Sequence, residues 1–259
     1  MLQFLRLLVV LMLFTPLVAF SKNDPSVLVY NKTTNTTILA QGVDTVRPMA
    51  SITKLMTAMV TLDYDKDLSR RVMLSNRVPS SLPRQQYTRL DLINAMLIRS
   101  DNAAAETLAD DYPGGRAEFI KRMNQQAKDW DILHTHFEDA SGLGTQNIST
   151  AVDVSNIITT ASGYWLISDT SIKKQALFEA TIKNKIRKII LPHTNSQMLL
   201  EFDNIITTKT GFTNPAGWCV ALLVKHKGQE FVIVVLGSKN KLERRKLVEK
   251  IMHTHILRN

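Results

Sequence analysis

Two hydrophobic periods alternate along this chain. In residues 26–30 and 36–41, β-forming residues gather on either side of the turn-rich stretch 31–35, which predicts an opening hairpin. After Pro48 the period lengthens. Ile52, Leu55, Met56, Met59 and Val60 recur at helical spacing, so a helix with a core-facing stripe begins at or near Ser51. Leu90, Ile93, Leu97 and Ile98 predict a second helix, which stops around Ser100-Asp101-Asn102. Helix resumes in the Ala-rich run from Ala103 and ends at Pro113-Gly114-Gly115. Residues 116–130 form another helical pattern, and Thr150 followed by Asp153 is a start signal for a helix running through Thr160.

The final third changes character. Residues 204–210, 217–226 and 230–237 are rich in Ile, Val and Thr, and a short turn around Lys227-Gly228 joins the last two, predicting an antiparallel meander. Leu242, Leu247, Val248, Ile251 and Met252 then mark a closing helix over residues 241–257. Hairpin, helical middle, antiparallel strands and terminal helix amount to an α+β fold.

Composition narrows the class. With 44% hydrophobic residues and one cysteine, the chain is neither disordered nor a disulfide-stapled miniprotein. Beyond residue 20 no apolar run approaches the ~20 residues that span a bilayer, which excludes a polytopic membrane protein. The start is different. Arg6 precedes the apolar stretch 7–20, and Ala19 and Ser21 put small residues before a cut after Ser21, so residues 1–21 are expected to be a cleaved signal peptide, with an uncleaved anchor helix as the alternative. The protein is then periplasmic or secreted. Its single thiol, Cys219, lies in Trp218-Cys219-Val220-Ala221-Leu222 and is expected to be a buried apolar residue rather than a nucleophile.

The net charge of +9 becomes +8 once the leader and its Arg6 are removed. Basic residues are dispersed except in short groups such as 183–188 and Arg244-Arg245-Lys246, a pattern of solvated surface rather than nucleic-acid binding. Anionic cell-envelope polymers are the natural partners of such a field.

Candidate chemistry rests on three short motifs. Ser51-Ile52-Thr53-Lys54 has the form S-x-x-K, which Ser171 to Lys174 and Ser238 to Lys241 share. Only Ser51 opens a strongly amphipathic helix, where i to i+3 spacing sets the lysine one turn above the hydroxyl. An ordinary lysine titrates near ~10.4, so Lys54 can act as a base at neutral pH only if burial or a second cation lowers that value. The plain alternatives are an N-cap at Ser51 and a snorkelling Lys54. Ser100-Asp101-Asn102, of the form S-x-N, interrupts two helices, where a hydroxyl and an amide can project into a cleft or a residue can simply cap a helix. Lys209-Thr210-Gly211 occurs once, at the end of a predicted strand. Its lysine and hydroxyl suit a substrate carboxylate, and Gly211 permits close backbone approach.

In this order and spacing the three motifs resemble the signature of serine penicillin-recognising enzymes. The segments around them, Ala50-Ser51-Ile52-Thr53-Lys54-Leu55-Met56-Thr57 and residues 208–217, are similar to the low-molecular-mass D-alanyl-D-alanine peptidases of serine peptidase family S11, in particular the short endopeptidase type. The resemblance implies a β-lactamase/transpeptidase-like fold, an antiparallel sheet flanked by helices with an all-helical region. The cleft would lie between the sheet edge bearing Lys209 and the helices bearing Ser51 and Ser100. It implies Ser51 as the acylated nucleophile, Lys54 as its general base and Ser100 as a proton relay. Asn102 would orient the substrate, Lys209 and Thr210 would engage its carboxylate, and Gly211 and Phe212 would line the site. The backbone N–H groups of Ser51 and Phe212 would form the oxyanion hole. Substrates would be peptidoglycan stem peptides, with β-lactam antibiotics as covalent inhibitors. No metal, cofactor, nucleic acid or stable membrane anchor is expected. Residues 22–259 are expected to form a single catalytic domain without the extra C-terminal domain of longer carboxypeptidases, which favours endopeptidase over carboxypeptidase action.

Rival readings lack their residues. A class A β-lactamase needs a deacylating Glu in an E-x-x-L-N-like segment, and none is present; Glu138 instead precedes Ser141-Gly142-Leu143, as in the peptidases. His134, His136, His253 and His255 do not have zinc-peptidase spacing, and G-x-S-x-G is absent. A non-hydrolytic penicillin-binding sensor stays open as an alternative.

Overall fold

Residues 24–258 are described by a computed structural model. The expected signal peptide lies outside the described residues. The first strands, β1 (Ser26–Asn31) and β2 (Thr36–Gln41), form the expected hairpin. Next, β3 (Arg47–Pro48) leads into a 3₁₀ turn, Ala50–Thr53, which runs directly into α1 (Lys54–Tyr64). A small ribbon, β4 (Arg71–Met73) and β5 (Gln86–Thr88), precedes α2 (Arg89–Asn94), whose last turn widens into a π turn over Ala95–Arg99. The helical region continues with α3 (Asn102–Asp110) and α4 (Gly115–Asp129), and after β6 (Ile148–Ser149) with α5 (Ala151–Ser162) and α6 (Trp165–Ser171). A ribbon of β7 (Gln175–Ile182) and β8 (Lys185–Pro192) and the short α7 (Ser196–Glu201) follow. Finally β9 (Ile205–Thr213), β10 (Gly217–His226) and β11 (Gln229–Ser238) make the meander, and α8 (Lys241–Ile251) closes the chain.

These strands assemble one antiparallel sheet in the order β2-β1-β11-β10-β9. Its central strands are covered on both faces, which is why they are near-continuous apolar runs. Period two divides them. Val220, Leu222, Val224, Ile233 and Val235 pack against α7 and α8, whereas Cys219, Ala221, Leu223, Val232 and Val234 pack against the helical region. At the outer edge stands β9, the strand that carries Lys209.

Local signals explain the helix boundaries around the site. Thr88 and Asp91 form a reciprocal capping box on α2, and Asp101 caps α3 by accepting from the Ala104 amide at 2.9 Å. Thr150 caps α5 as its spacing to Asp153 predicts. Arg89, almost wholly buried, ties the start of α2 to the ends of α1 and α3 through Asp65 and Asp111. A buried Arg paired twice is satisfied, but removing either carboxylate would leave part of its charge uncompensated.

The structure departs from the sequence pattern in the stretch 164–203, where α6, the β7–β8 ribbon and α7 were not foreseen. It also extends β9 to Thr213, so Lys209-Thr210-Gly211 lies inside a strand rather than at its end.

Candidate active site

Ser51 sits in the 3₁₀ turn ahead of α1, and its side chain caps nothing. The N-cap alternative is therefore set aside. Its hydroxyl instead accepts from the Lys54 ammonium at 2.9 Å and faces the Ser141 carbonyl oxygen at 3.4 Å. Lys54 does not snorkel. Its side chain is wholly buried, and the ammonium also donates to Asn102 Oδ1 at 2.7 Å and to the Ser141 carbonyl. Burial pulls the Lys54 pKa down to about 7, while Asp139, Asp101 and Glu106 work in the opposite direction. Near neutral pH about half of Lys54 is then an uncharged amine in contact with a serine hydroxyl.

Ser100 owes its position to the π turn, which ends with this residue in the left-handed region at φ 63°. Its hydroxyl receives the Lys209 ammonium at 2.9 Å, and Lys209 also donates to the Thr210 carbonyl at 2.9 Å. Lys209 is wholly buried, and burial together with the nearby Lys54 and Arg244 charges lowers its pKa well below the usual value. Thus the lysine of the third motif contacts Ser100, which lines the cleft. Thr210 does line the open cleft, and its hydroxyl donates to Thr194 Oγ1 at 2.7 Å.

Two glycines let the backbone close on Ser51. Gly211 brings β9 so near that a Cβ there would stand 2.8 Å from the Met49 carbonyl oxygen and 3.1 Å from the Ser51 nitrogen. From the other side, a Cβ on Gly142, at φ +79°, would stand 2.1 Å from the Ala50 carbonyl oxygen. Gly142→Ala therefore combines a left-handed backbone costing roughly 1–2 kcal/mol with a clash against the turn that carries Ser51. The expected outcome is a lower melting temperature together with penicillin labelling slowed at least tenfold; parental values of both would refute the close packing.

The loop bearing Gly142 is held by Asp139, which accepts from the amides of Ser141 at 2.9 Å and Gly144 at 2.6 Å and from that of Gly142. Glu138, by contrast, is exposed and bonded to the Gln146 amide at 3.0 Å, away from the cleft.

The cleft has a volume of about 450 Å³, and Ser51, Ser100, Asn102, Thr210, Gly211 and Phe212 all line it. Phe212 is 45% exposed and stacks on Trp218 at a centroid distance of 4.2 Å. Among the described residues no acidic side chain lines the cleft, whereas Arg99, Lys241 and Arg244 do. Arg244 was seen in the sequence only as part of a basic cluster. It is 4% exposed, donates to the Cys219 carbonyl at 3.2 Å and lies over the Trp218 ring. Burial lowers its pKa to about 10, so it stays cationic at neutral pH. Cys219 itself is fully buried on β10, and burial raises its pKa to about 11. The thiol is a packing residue, as its apolar setting predicted.

Chemically, the arrangement offers a hydroxyl paired with a partly neutral amine, a second hydroxyl held by another buried lysine, and a cationic wall suited to a carboxylate.

A family model described as D-alanyl-D-alanine carboxypeptidase, peptidase S11, matches residues 21–240. The D-alanyl-D-alanine endopeptidase of Escherichia coli K12 is 34% identical over 224 residues, covering 83% of this chain and 72% of that relative. The crystal structure of the Streptomyces K15 DD-transpeptidase is similar with a TM-score of 0.80 at 27% identity, over 88% of this chain and 94% of that one. Penicillin-binding protein D2 of Listeria monocytogenes, solved in its ampicillin-bound form, gives a TM-score of 0.77 at 29% identity, over 90% and 97% of the two chains.

Proposed function

Since the chain belongs to the D-alanyl-D-alanine carboxypeptidase family S11 and is a serine-type DD-peptidase, we propose that it works through an acyl-enzyme on Ser51. The observation that carries this reading is the 2.9 Å contact between Ser51 Oγ and the Lys54 amine, whose pKa burial brings to about 7.

Neutral Lys54 takes the hydroxyl proton as Ser51 Oγ attacks the carbonyl carbon of a D-alanyl bond. The backbone N–H groups of Ser51 and Phe212 stabilise the oxyanion. As the C–N bond breaks, the proton that Lys54 took from Ser51 passes by way of the Ser100 hydroxyl, which the Lys209 amine orients, to the leaving amine. Asn102 positions the stem peptide, and Thr210 with Arg244 engages the carboxylate beyond the scissile bond. Water then cleaves the ester. Lys54, in contact with Ser51 Oγ, is the base placed to activate it.

The substrate is the D-alanyl cross-link between peptidoglycan stem peptides, in line with the endopeptidase activity of the E. coli relative, and β-lactams acylate the same serine. A cell-wall substrate calls for an enzyme that works outside the cytoplasm. Incubating the protein with purified cross-linked muropeptides and, separately, with free pentapeptide tests the substrate. Accumulation of uncross-linked stems faster than release of D-alanine from pentapeptide is the expected result. The reverse order would make it a carboxypeptidase, and penicillin labelling without turnover of either peptide would make it a receptor.

A further inference from the structure

The β7–β8 ribbon breaks the rule that a solvated strand face is polar. Its inner face buries Ala176, Phe178 and Leu191 against the helical core. Its outer face carries Leu177 directly across from Ile190, and Ile186 across from Thr181, with the three aliphatic side chains 56%, 56% and 72% exposed. The ribbon starts at the cleft wall formed by His193 and Thr194 and runs outward for roughly 25 Å, the length of an eight-residue strand. At its far end Lys183 and Asn184 make the two-residue turn, both with positive φ.

Charge gathers at that same end. Lys183, Lys185, Arg187 and Lys188 are all exposed, and among the described residues none of them forms a salt bridge. The ribbon's one acidic residue, Glu179, stands opposite Lys188.

We infer that the tip of the β7–β8 ribbon is a docking element for an anionic phospholipid surface, with Ile186 entering the interface and the surrounding lysines and arginine meeting lipid phosphates. Charge complementarity selects an anionic partner, because a second copy meeting this tip through its own would set four more cations against these four. The exposed aliphatic residues select lipid over a hydrated wall polymer, since a polyanion in water gains little from an isoleucine whereas an interface buries it. Such contact is reversible and needs no spanning helix; among the described residues no helix is long and apolar enough to cross a membrane. The inference does not depend on the catalytic roles proposed for Ser51 and Lys54.

The full chain carrying Thr181→Cys, labelled there with an environment-sensitive fluorophore, reports on the tip directly, because Thr181 is exposed and the native Cys219 is buried. Vesicles of phosphatidylcholine mixed with phosphatidylglycerol should blue-shift the emission, and phosphatidylcholine alone or high salt should abolish the shift. Replacing Lys183, Lys185 and Lys188 together by glutamine should raise the lipid concentration at half-maximal shift roughly 100-fold, about fivefold per cation. Ile186→Ser should raise it about tenfold. Hydrolysis of a soluble stem peptide should be unchanged in all variants, showing that they fold. No shift on the anionic vesicles, or an equal shift on neutral ones, would overturn the inference. So would retention on purified peptidoglycan that needs the lysines but is indifferent to Ile186→Ser.

Discussion

Ser51→Ala abolishes covalent labelling by penicillin and lowers peptide hydrolysis by roughly 10⁴-fold or more, the scale expected when the nucleophile of a concerted unit is removed. Three hydroxyls stand close enough to compete for the role, those of Ser51, Ser100 and Ser141. Ser51 combines a place on the cleft wall, a 2.9 Å contact to the Lys54 amine and a backbone N–H on which Gly211 and Gly142 let the chain close. Ser100 also lines the cleft and contacts the Lys209 amine at 2.9 Å, but it sits on the loop between the π turn and α3 rather than in the turn on which Gly211 and Gly142 close. Ser141 Oγ is buried and donates to Asp139 at 3.2 Å. The substitution is mild for the fold, because Lys54 keeps Asn102 and the Ser141 carbonyl as acceptors. Intact-mass analysis after exposure to penicillin decides the matter. An adduct on Ser51→Ala protein, mapped to either other serine, removes Ser51 from the mechanism.

Lys54→Met is the second large effect, expected to slow acylation about 10³-fold by deleting the general base while keeping the apolar stem. Its signature is the pH profile. In the parent enzyme the acylation rate should fall about tenfold per pH unit below 7, because protonation of a group with a pKa of about 7 removes the base, and should level off above it. The shift is downward from an ordinary lysine, so the active form is the high-pH form. The methionine variant should lose that limb. Stopped-flow acylation with a chromogenic cephalosporin across roughly pH 5 to 9 supplies both readings. A parent profile that stays flat through pH 7 would mean that no base with a pKa of about 7 governs acylation, and would overturn this role for Lys54.

The sequence pattern carried some parts of this architecture well and others poorly, for physical reasons. The meander was legible because its strands are buried on both faces, and α1 because its apolar stripe is unbroken from Ile52 to Val60. Ser51 and Lys54 were legible because their relation is local, one helical turn. The β7–β8 ribbon was hidden by its own outer face. Leu177 beside Phe178, and Ile189 beside Ile190, blur the period of two, and the basic run 183–188 has the look of solvated surface. Strand β9 continues past Thr210 because Gly211 has no side chain to collide with the turn below it, an approach that propensity disfavours inside a strand.

Non-local partners were the hardest to foresee. The Ser141 carbonyl has no side-chain signature, yet it is an acceptor for Lys54 and lies 3.4 Å from Ser51 Oγ. Arg244 sits beside Arg245 and Lys246, and only the packing of α8 against β10 distinguishes the buried guanidinium from its neighbours. The fold also brings the Lys209 amine onto Ser100, a contact between residues 109 apart that has no local sequence signal. A tripeptide fixes which residues are present, whereas the direction of each side chain depends on the strand's period and on what lies across the cleft.

Cys219 gives the folded state a chemical clock. It is the chain's only thiol, wholly enclosed on β10, and its raised pKa keeps it protonated through the physiological range. Outside the cytoplasm an odd, accessible thiolate would couple chains or react with small disulfides. Here the sulfur meets a reagent only when the sheet opens. The rate at which a thiol-specific dye reacts with unmodified protein therefore measures how often the central sheet unfolds, without any introduced label.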